Sequence, residues 1–160
     1  MNKQEVYEFL QAKGVTYEVT EHKAVYNMDE LAAVELPYPE ADAKNLFVRD
    51  DKKSSYYLIT VRGGKRVDLQ EFRKAYGTRR LSFASAEDLE RLLGLFPGSV
   101  TPLGLLNNTE KNVKLFLDSD FADDDLIGVH PNENTATVWL KAGDLVRLIR
   151  EHGNEVELIK

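Results

Sequence analysis

Three short segments of the chain combine polar side chains with glycine and proline in patterns that suit a binding site. The first, FPGSVTPLGLL at residues 96–106, is apolar but is interrupted by Gly98, Pro102 and Gly104. Glycine allows positive φ and close approach to a ligand, and proline fixes φ. Such a loop can offer backbone N–H groups to a small polar ligand. The same pattern also fits a buried connection between a helix and a strand.

The second segment, AKNLFV, places Lys44 and Asn45 at the start of an apolar strand. A cationic donor beside an amide that both donates and accepts could hold a phosphate group or the edge of a ribose. The alternative is an edge-strand lysine followed by a turn asparagine, since lysine is common at sheet edges. These residues alone leave both interpretations open.

The third segment, LIGVHPNENTAT, ends an apolar strand at His130, and Pro131 stops the strand there. A polar side chain that a strand delivers to a loop is a common position for chemistry, although a single histidine is more often structural. His22 is expected to be a loop residue rather than a group behind a site. His152 falls in the last turn of the final helix, where positive charge suits the helix dipole.

No metal or cofactor site is predicted. The histidines lack the HxxxH and HExxH spacings of zinc sites. The acidic run that begins at Asp118 fails the EF-hand template, because Asp123 occupies the position that needs glycine and Val129 the position that needs glutamate. The chain also has no nucleophile elbow, Walker loop or dinucleotide fingerprint.

The composition is that of a globular protein, with 160 residues of which 42% are hydrophobic and 30% charged, and we expect one domain over residues 1–160. With 0 Cys, the sequence excludes a disulfide, a thiolate nucleophile and a cysteine-ligated zinc. The chain has no apolar run long enough to span a bilayer and no signal-peptide pattern at its start. We therefore expect a cytoplasmic protein without a membrane partner.

Charge is segregated along the chain. The net charge of −6 argues against nonspecific nucleic-acid binding. However, residues 62–80 contain seven basic and two acidic side chains, whereas residues 118–125 contain five aspartates. Screening confines the field of a basic surface to about 10 Å, so such a surface can contact phosphates even on an acidic protein. The alternative is a solvated helix with its flanking loops.

Short helices and strands must position these residues. Helices are predicted from apolar spacing and capping residues, and strands from alternation and β-branched residues. Strands outnumber helices and the connections are too short for regular βαβ units, which indicates an α+β fold whose mixed sheet curls into a partial barrel with helices outside. The predicted helices cover residues 3–13, 28–34, 69–76 and 86–93, with a last helix that follows residue 144 and ends near 153; the predicted strands cover residues 15–19, 43–49, 55–62, 81–84, 112–117, 126–130, 136–141 and 155–159.

Four segments resemble the YbaK-like freestanding prolyl-tRNA editing domains, which are aminoacyl-tRNA deacylases. The segments are EHKAVYNMDE, AKNLFVRD, GSVTPLGLLN with its GxxxP pattern, and VHPNENTATV, and their order and spacing match from residue 3 to about 151. The resemblance is strongest to the branch that removes alanine from proline tRNA. One position differs, because Lys23 stands where family members often have proline after the first histidine.

The resemblance implies a YbaK-like editing fold that hydrolyses the ester between a noncognate amino acid and the 3′-terminal adenosine of tRNA(Pro), without a cofactor. The implied partners are the acceptor end of tRNA(Pro) and a prolyl-tRNA synthetase. The implied catalytic residues are Lys44, Asn45 and His130. The implied substrate-binding residues are Gly98, Ser99, Val100, Thr101, Pro102, Gly104 and Asn134, and our own candidates for tRNA phosphate contacts are Lys65, Arg66, Arg79 and Arg80.

The physical need for such a site is clear. A synthetase pocket built for proline rejects a smaller amino acid poorly, because a missing methylene is worth only about 1–3 kcal/mol. By resemblance, the GxxxP loop surrounds the aminoacyl carbonyl with N–H groups, His130 and Asn134 line the pocket, and a ribose hydroxyl of the substrate positions the attacking water. Two alternatives stay open: removal of cysteine or serine, and a non-catalytic module that binds tRNA or a synthetase.

Overall fold

The computed structural model describes residues 1–24 and 36–160 of the chain. The predicted helix over residues 28–34 lies outside the described residues. Within the described ranges, the other four predicted helices and all eight predicted strands are present in the predicted order. The helices are α1 (Lys3–Ala12), α2 (Leu69–Tyr76), α3 (Ala86–Leu93) and α4 (Ala142–His152); the strands are β1 (Tyr17–Glu21), β2 (Ala43–Asp50), β3 (Tyr56–Arg62), β4 (Leu81–Phe83), β5 (Val113–Asp118), β6 (Leu126–Val129), β7 (Ala136–Lys141) and β8 (Val156–Ile159).

Capping residues set the limits of the short helices. The Asp68 carboxylate accepts hydrogen bonds from two N–H groups in the first turn of α2. The Ser85 hydroxyl accepts one from Asp88 N–H in the first turn of α3. Gly77 and Gly94 end these two helices with φ of 68° and 65°, in the left-handed region that favours glycine. Both helices therefore occupy the residues predicted for them.

The larger sheet has five strands in the order β4-β2-β3-β5-β8. β2 is antiparallel to both β3 and β4, whereas β3, β5 and β8 are mutually parallel. Side chains alternate between the two faces of each strand. One face therefore carries Ala43 and Phe47 of β2, and the other carries Leu46 and Val48.

The predicted single curled sheet is in fact divided in two, which corrects the detail of the partial barrel. The smaller sheet has three antiparallel strands in the order β1-β7-β6. An isolated parallel bridge between Asp42 and Gly128 joins it to the larger sheet. A Cβ at Gly128 would lie 2.3 Å from the Trp139 ring, so only glycine fits beside this indole.

Two hydrophobic cores hold the layers together. The larger core lies between the two sheets and is closed by α1, α3 and α4. The smaller core lies between α2 and the other face of the five-stranded sheet, where the Phe72 and Phe116 rings meet edge to face with centroids 4.9 Å apart. Burial of these apolar surfaces supplies most of the driving force for folding.

Three segments differ from the predicted structure. α4 begins at Ala142, so it includes Gly143 and Asp144, which were predicted to precede it; the N–H groups of Ala142 and Gly143 donate to the Asp125 and Asp123 carbonyls. β1 begins two residues later than predicted, because Val15 N–H donates to the Leu10 carbonyl and continues the turn that follows α1. The glycine- and proline-containing loop is partly helical, since residues Pro102–Asn107 form a 3₁₀ helix. Thr101 begins this helix by accepting a hydrogen bond from Leu103 N–H through its side chain.

Candidate active site

Two strands approach the same edge of β2 from opposite ends. On its other edge, β2 pairs with β3, and Gly63 N–H extends this pairing by donating to the Asp42 carbonyl at 2.9 Å. The bridge from Asp42 to Gly128 must therefore use the opposite edge. β4 occupies that same edge further along, where Val48 pairs with Phe83.

Between these two strands, the edge of β2 at residues 44–46 pairs with neither β4 nor β6, and we call this stretch the β2 gap. The Asp42–Gly128 bridge is parallel, so Lys44 and His130, each two residues further along, lie at the same end of the gap. Lys44 is half-buried, and its ammonium group has no hydrogen bond or ion pair within residues 1–24 and 36–160. The fold thus brings these two sequence-predicted residues to one place.

Asn45 lies on the opposite face of the sheet from Lys44, because neighbouring side chains of a strand alternate. The hydroxyl of Thr60, which is directly opposite on β3 and fully buried, donates to Asn45 Oδ1 at 2.7 Å. This bond leaves the amide NH₂ of Asn45 as a donor. Lys44 and Asn45 therefore lie on either side of the strand and do not form one side-by-side pair.

A hydrogen bond to a backbone carbonyl defines the tautomer of His130. Its Nδ1 lies 3.0 Å from the Ala136 carbonyl oxygen. A carbonyl only accepts, so Nδ1 carries the proton and Nε2 keeps a lone pair in the neutral ring. Burial lowers the pKa of His130 below its usual value, and nearby His22 acts in the same direction, whereas the bond to Ala136 opposes both. Neutral His130 therefore presents Nε2 as a hydrogen-bond acceptor.

A buried hydroxyl connects the glycine- and proline-containing loop to His130. Thr101 is fully buried, and its Oγ1 donates to the His130 carbonyl oxygen at 2.7 Å. Thr101 Oγ1 also accepts a hydrogen bond from Leu103 N–H at 3.3 Å. The Thr101 hydroxyl, which both donates and accepts a hydrogen bond, therefore fixes the position of the loop relative to the His130 backbone.

The start of this loop is rigid but keeps free backbone donors. Ser99 is fully buried, and its hydroxyl closes the turn by donating to the Phe96 carbonyl and accepting from Phe96 N–H. Gly98 has φ of 95°, which a side chain would strain. The N–H groups of Val100 and Thr101 donate to no group in the described part of the protein. Thr101 is buried and Val100 is half-buried, so these unused donors are available to a ligand.

The end of the loop is fixed by packing. Pro102 and Gly104 are buried in the 3₁₀ helix. A Cβ at Gly104 would lie 2.5 Å from Leu95 Cδ1, so the absence of a side chain lets the loop pack against Leu95, two residues after the end of α3. Pro102 and Gly104 thus shape the loop, whereas Val100 and Thr101 carry its free donors.

His22 lies beside His130, whereas the sequence favoured a plain loop residue over a group behind the site. Its ring centroid is 6.3 Å from that of His130. His22 Nδ1 lies 2.8 Å from the Lys23 carbonyl, so Nε2 accepts from the buried Thr137 hydroxyl at 3.0 Å. Asn134, a predicted site residue, is buried in the loop between β6 and β7. The pairing of β1 with β7 brings His22 next to the end of that loop.

The sequence model of the aminoacyl-tRNA editing domain matches residues 22–148, which include both histidines and the loop. The chain belongs to this family. It is thus an aminoacyl-tRNA deacylase, an ester hydrolase, and the predicted resemblance is confirmed. It is 33% identical over 158 residues to the prolyl-tRNA editing protein ProX of Acetoanaerobium sticklandii, with 99% of this chain and 96% of that protein covered.

Further relatives agree with this assignment. The chain is 31% identical over 150 residues to prolyl-tRNA synthetase associated domain-containing protein 1 of Bos taurus, with 91% of this chain and 87% of that protein covered. Its fold matches the crystal structure of a candidate trans-editing enzyme for prolyl tRNA synthetase with a TM-score of 0.71, at 23% identity and covering 99% and 96% of the two chains. That similarity supports the α+β editing-domain fold.

The basic residues of this editing domain fall into two groups. Lys65 is paired with Asp118 at 2.9 Å and Asp120 at 2.6 Å, and Arg79 makes two hydrogen bonds to Asp51, at 2.7 and 3.0 Å. Arg66 and Arg80, in contrast, are exposed and have no ion pair within the described ranges. Of the four predicted phosphate contacts, these two therefore have their full charge available.

Asp42 is a second residue that sequence reasoning missed. It is only 8% exposed and forms no ion pair within residues 1–24 and 36–160. Burial raises its pKa to about 7, and a hydrogen bond from Ala43 N–H acts in the opposite direction. Its position between two alanines in the run EADAKN is the signal that could have indicated a buried carboxyl group.

The described part of the editing domain has neither a candidate metal cluster nor a membrane-spanning helix. It contains no cluster of three or more histidine, aspartate or glutamate side chains that could hold a metal ion. None of the helices in the same ranges is long and apolar enough to cross a membrane.

Proposed function

We propose that this chain is a trans-editing hydrolase that removes the amino acid from mischarged tRNA(Pro), with Ala-tRNA(Pro) as its main substrate. The observation that carries the proposal is the hydrogen bond from Thr101 to the His130 carbonyl, because it fixes the loop with free N–H donors beside the end of the β2 gap where Lys44 lies. The 33% identity to a prolyl-tRNA editing protein supports tRNA(Pro) as the substrate.

In this proposal, the reaction is hydrolysis of the ester between the amino acid and a ribose hydroxyl of the terminal adenosine. Water adds to the carbonyl carbon, and the ester bond then breaks to release the free amino acid and tRNA. Negative charge develops on the carbonyl oxygen, and the N–H groups of Val100 and Thr101 are the donors that would stabilise it. Removing one such donor typically costs on the order of 100-fold in rate.

Lys44 supplies the positive charge that binds the phosphate or ribose of the terminal adenosine. Its ammonium group has no partner in the described ranges, so this interaction would not compete with an ion pair of the protein. The NH₂ of Asn45 has no partner within residues 1–24 and 36–160, since Thr60 occupies only the amide oxygen, and it could donate to the ribose from the other side of the strand. His130 Nε2 can accept from the substrate or the attacking water because the ring is neutral.

Selectivity follows from size. In this proposal, the site between the loop and His130 would exclude the proline ring and admit alanine, which complements a synthetase pocket that cannot strongly reject a smaller residue. Asn134 and His130 are the polar residues that we assign to the pocket wall. The whole of residues 1–160 is proposed to form one domain that recognises the acceptor end of tRNA(Pro), and a prolyl-tRNA synthetase is the proposed additional partner.

Deacylation assays with a panel of substrates test this function. Purified protein should release alanine from alanyl-tRNA(Pro) and leave prolyl-tRNA(Pro) intact. Release of cysteine or serine from tRNA(Pro) in place of alanine would keep the reaction but contradict the assignment of alanine. Absence of turnover for all four aminoacyl-tRNAs, in protein shown to bind tRNA, would favour a non-catalytic binding module.

A further inference from the structure

Phe83 is the most exposed of the large hydrophobic side chains in the described part of the chain, at 63% exposure. It lies on β4, an edge strand of the five-stranded sheet. The neighbouring apolar residue of β4, Leu81, is buried in the smaller core. The exposed ring is therefore not explained by packing, and exposed apolar surface on a globular protein can mark a binding site.

The ring lies on the same face of the sheet as Lys44. Phe83 is paired with Val48, and directly opposite residues of an antiparallel pair share a face. Lys44 is four residues before Val48 on the same strand, so it shares this face as well. At about 3.3 Å per residue, the two positions are about 13 Å apart along β2. Leu46 lies between them and is half-buried.

Exposed cationic residues stand on the elements next to Phe83. α2 packs against β4, and Arg73 and Lys74 in its last turn are exposed. Arg80, immediately before β4, is exposed too, and none of these three cations has an ion pair within residues 1–24 and 36–160. An exposed aromatic ring on a surface with nearby cationic residues is the combination that binds single-stranded nucleic acid, through base stacking and phosphate contacts.

We propose that Phe83 is a stacking platform for an unpaired base of the tRNA 3′ end, upstream of the terminal adenosine. The proposal rests on the proposed function, in which Lys44 holds that adenosine. The 3′ end of tRNA is single-stranded, so its bases have free faces for stacking. A peptide strand would instead need a long open edge, and β4 has only three residues, which favours RNA over protein as the occupant.

The test is direct binding of a fluorescein-labelled, non-acylated RNA oligonucleotide that ends in CCA, measured by fluorescence anisotropy at fixed low salt. Phe83→Ala is compared with Phe83→Tyr, which keeps an aromatic face. Leu158→Ala is the matched control, because Leu158 is 52% exposed on β8, the edge strand at the other side of the same sheet. Thermal unfolding of each variant checks that the fold is retained.

We expect Phe83→Ala to weaken oligonucleotide binding by roughly 5- to 100-fold, the range of a lost base–aromatic stack. Phe83→Tyr and Leu158→Ala should bind within about twofold of the wild type, a free-energy difference too small for a stack. The proposal is overturned if Phe83→Ala binds like the wild type, if Leu158→Ala loses as much affinity, or if the wild-type protein does not bind the oligonucleotide.

A second readout separates this proposal from the proposed function. Phe83→Ala should lower kcat/KM for alanyl-tRNA(Pro) but leave hydrolysis of alanyl-adenosine, which lacks the upstream bases, unchanged. A wild-type protein that binds the oligonucleotide through Phe83 but hydrolyses neither substrate would refute the editing function and leave the platform intact. Equal losses on both substrates would overturn the platform.

Discussion

Replacing Thr101 by valine tests the connection between the loop and His130. Valine has nearly the same shape, so the change removes a hydroxyl without opening a cavity. Two buried backbone groups then lose their partner: the His130 carbonyl, now bonded at 2.7 Å, and Leu103 N–H, bonded at 3.3 Å. An unsatisfied buried group costs about 1–3 kcal/mol, and the longer bond contributes less. We expect a total destabilisation of about 2–3 kcal/mol.

Urea unfolding of Thr101→Val and Thr101→Ser measures this effect. The serine variant keeps both hydrogen bonds and loses one methyl group, which is worth about 0.8 kcal/mol. The valine variant should therefore be clearly less stable than the serine variant at an unchanged m-value. We also expect deacylation to fall about tenfold in Thr101→Val, because about 1.4 kcal/mol of transition-state stabilisation is lost when the loop donors move. A valine variant as stable as the wild type would refute the reasoning.

Three further perturbations follow from the structure. The folded-state pKa of Asp42, about 7, lies above its ordinary value of 3.8, so the wild type loses stability as the pH rises from about 4 to about 7. In urea unfolding, Asp42→Asn should therefore be more stable than the wild type by up to about 4 kcal/mol at pH 8 and by little at pH 4. Gly128→Ala should cost about 1–3 kcal/mol in thermal unfolding, because its Cβ would overlap the Trp139 ring, and an unchanged Tm would contradict the packing. Arg80→Glu should weaken tRNA binding and flatten its salt dependence more than Arg79→Glu, since Arg79 is already paired, and equal effects would argue against this difference.

Local signals explain the parts of the fold that sequence predicted well. Asp68 and Gly77 mark the limits of α2, and the β-rich run YYLITV marks β3, because caps and side-chain alternation depend on residues close in sequence. The same is true of the loop, whose glycines and prolines are readable in the sequence. Its 3₁₀ helix was not predicted, since it depends on the Thr101 cap and on packing against α4 and α3.

Long-range contacts explain what the sequence could not show. The Asp42–Gly128 bridge joins residues far apart in the chain, and it is this bridge that brings Lys44 and His130 to one end of the β2 gap. The proximity of His22 to His130 depends on how β1 pairs with β7. No local pattern specifies such contacts, so the residues of the site were predicted from resemblance and their arrangement was not.

Ion pairing separates residues that look alike in the sequence. Arg79 and Arg80 are neighbours of the same type, but within residues 1–24 and 36–160 only Arg79 forms an ion pair, with Asp51 from the turn between β2 and β3. Exposure behaves similarly, because Leu81 of β4 is buried and Phe83 of the same strand is exposed. The ion pair of Arg79 depends on the turn that carries Asp51, and the burial of Leu81 depends on the smaller core that it joins.

In the proposed function, this editing domain hydrolyses mischarged tRNA(Pro) at the β2 gap while Lys44 binds the terminal adenosine. The most direct test is single-turnover deacylation of alanyl-tRNA(Pro) by the wild type and by Lys44→Ala. Lys13→Ala, which removes a lysine at the C-terminal end of α1, is the control for the loss of one positive charge. We predict rapid loss of alanine with the wild type and the control, and a loss of at least 100-fold in rate with Lys44→Ala, which removes about 2.7 kcal/mol of transition-state stabilisation. Lys44→Ala at the wild-type rate would contradict the account.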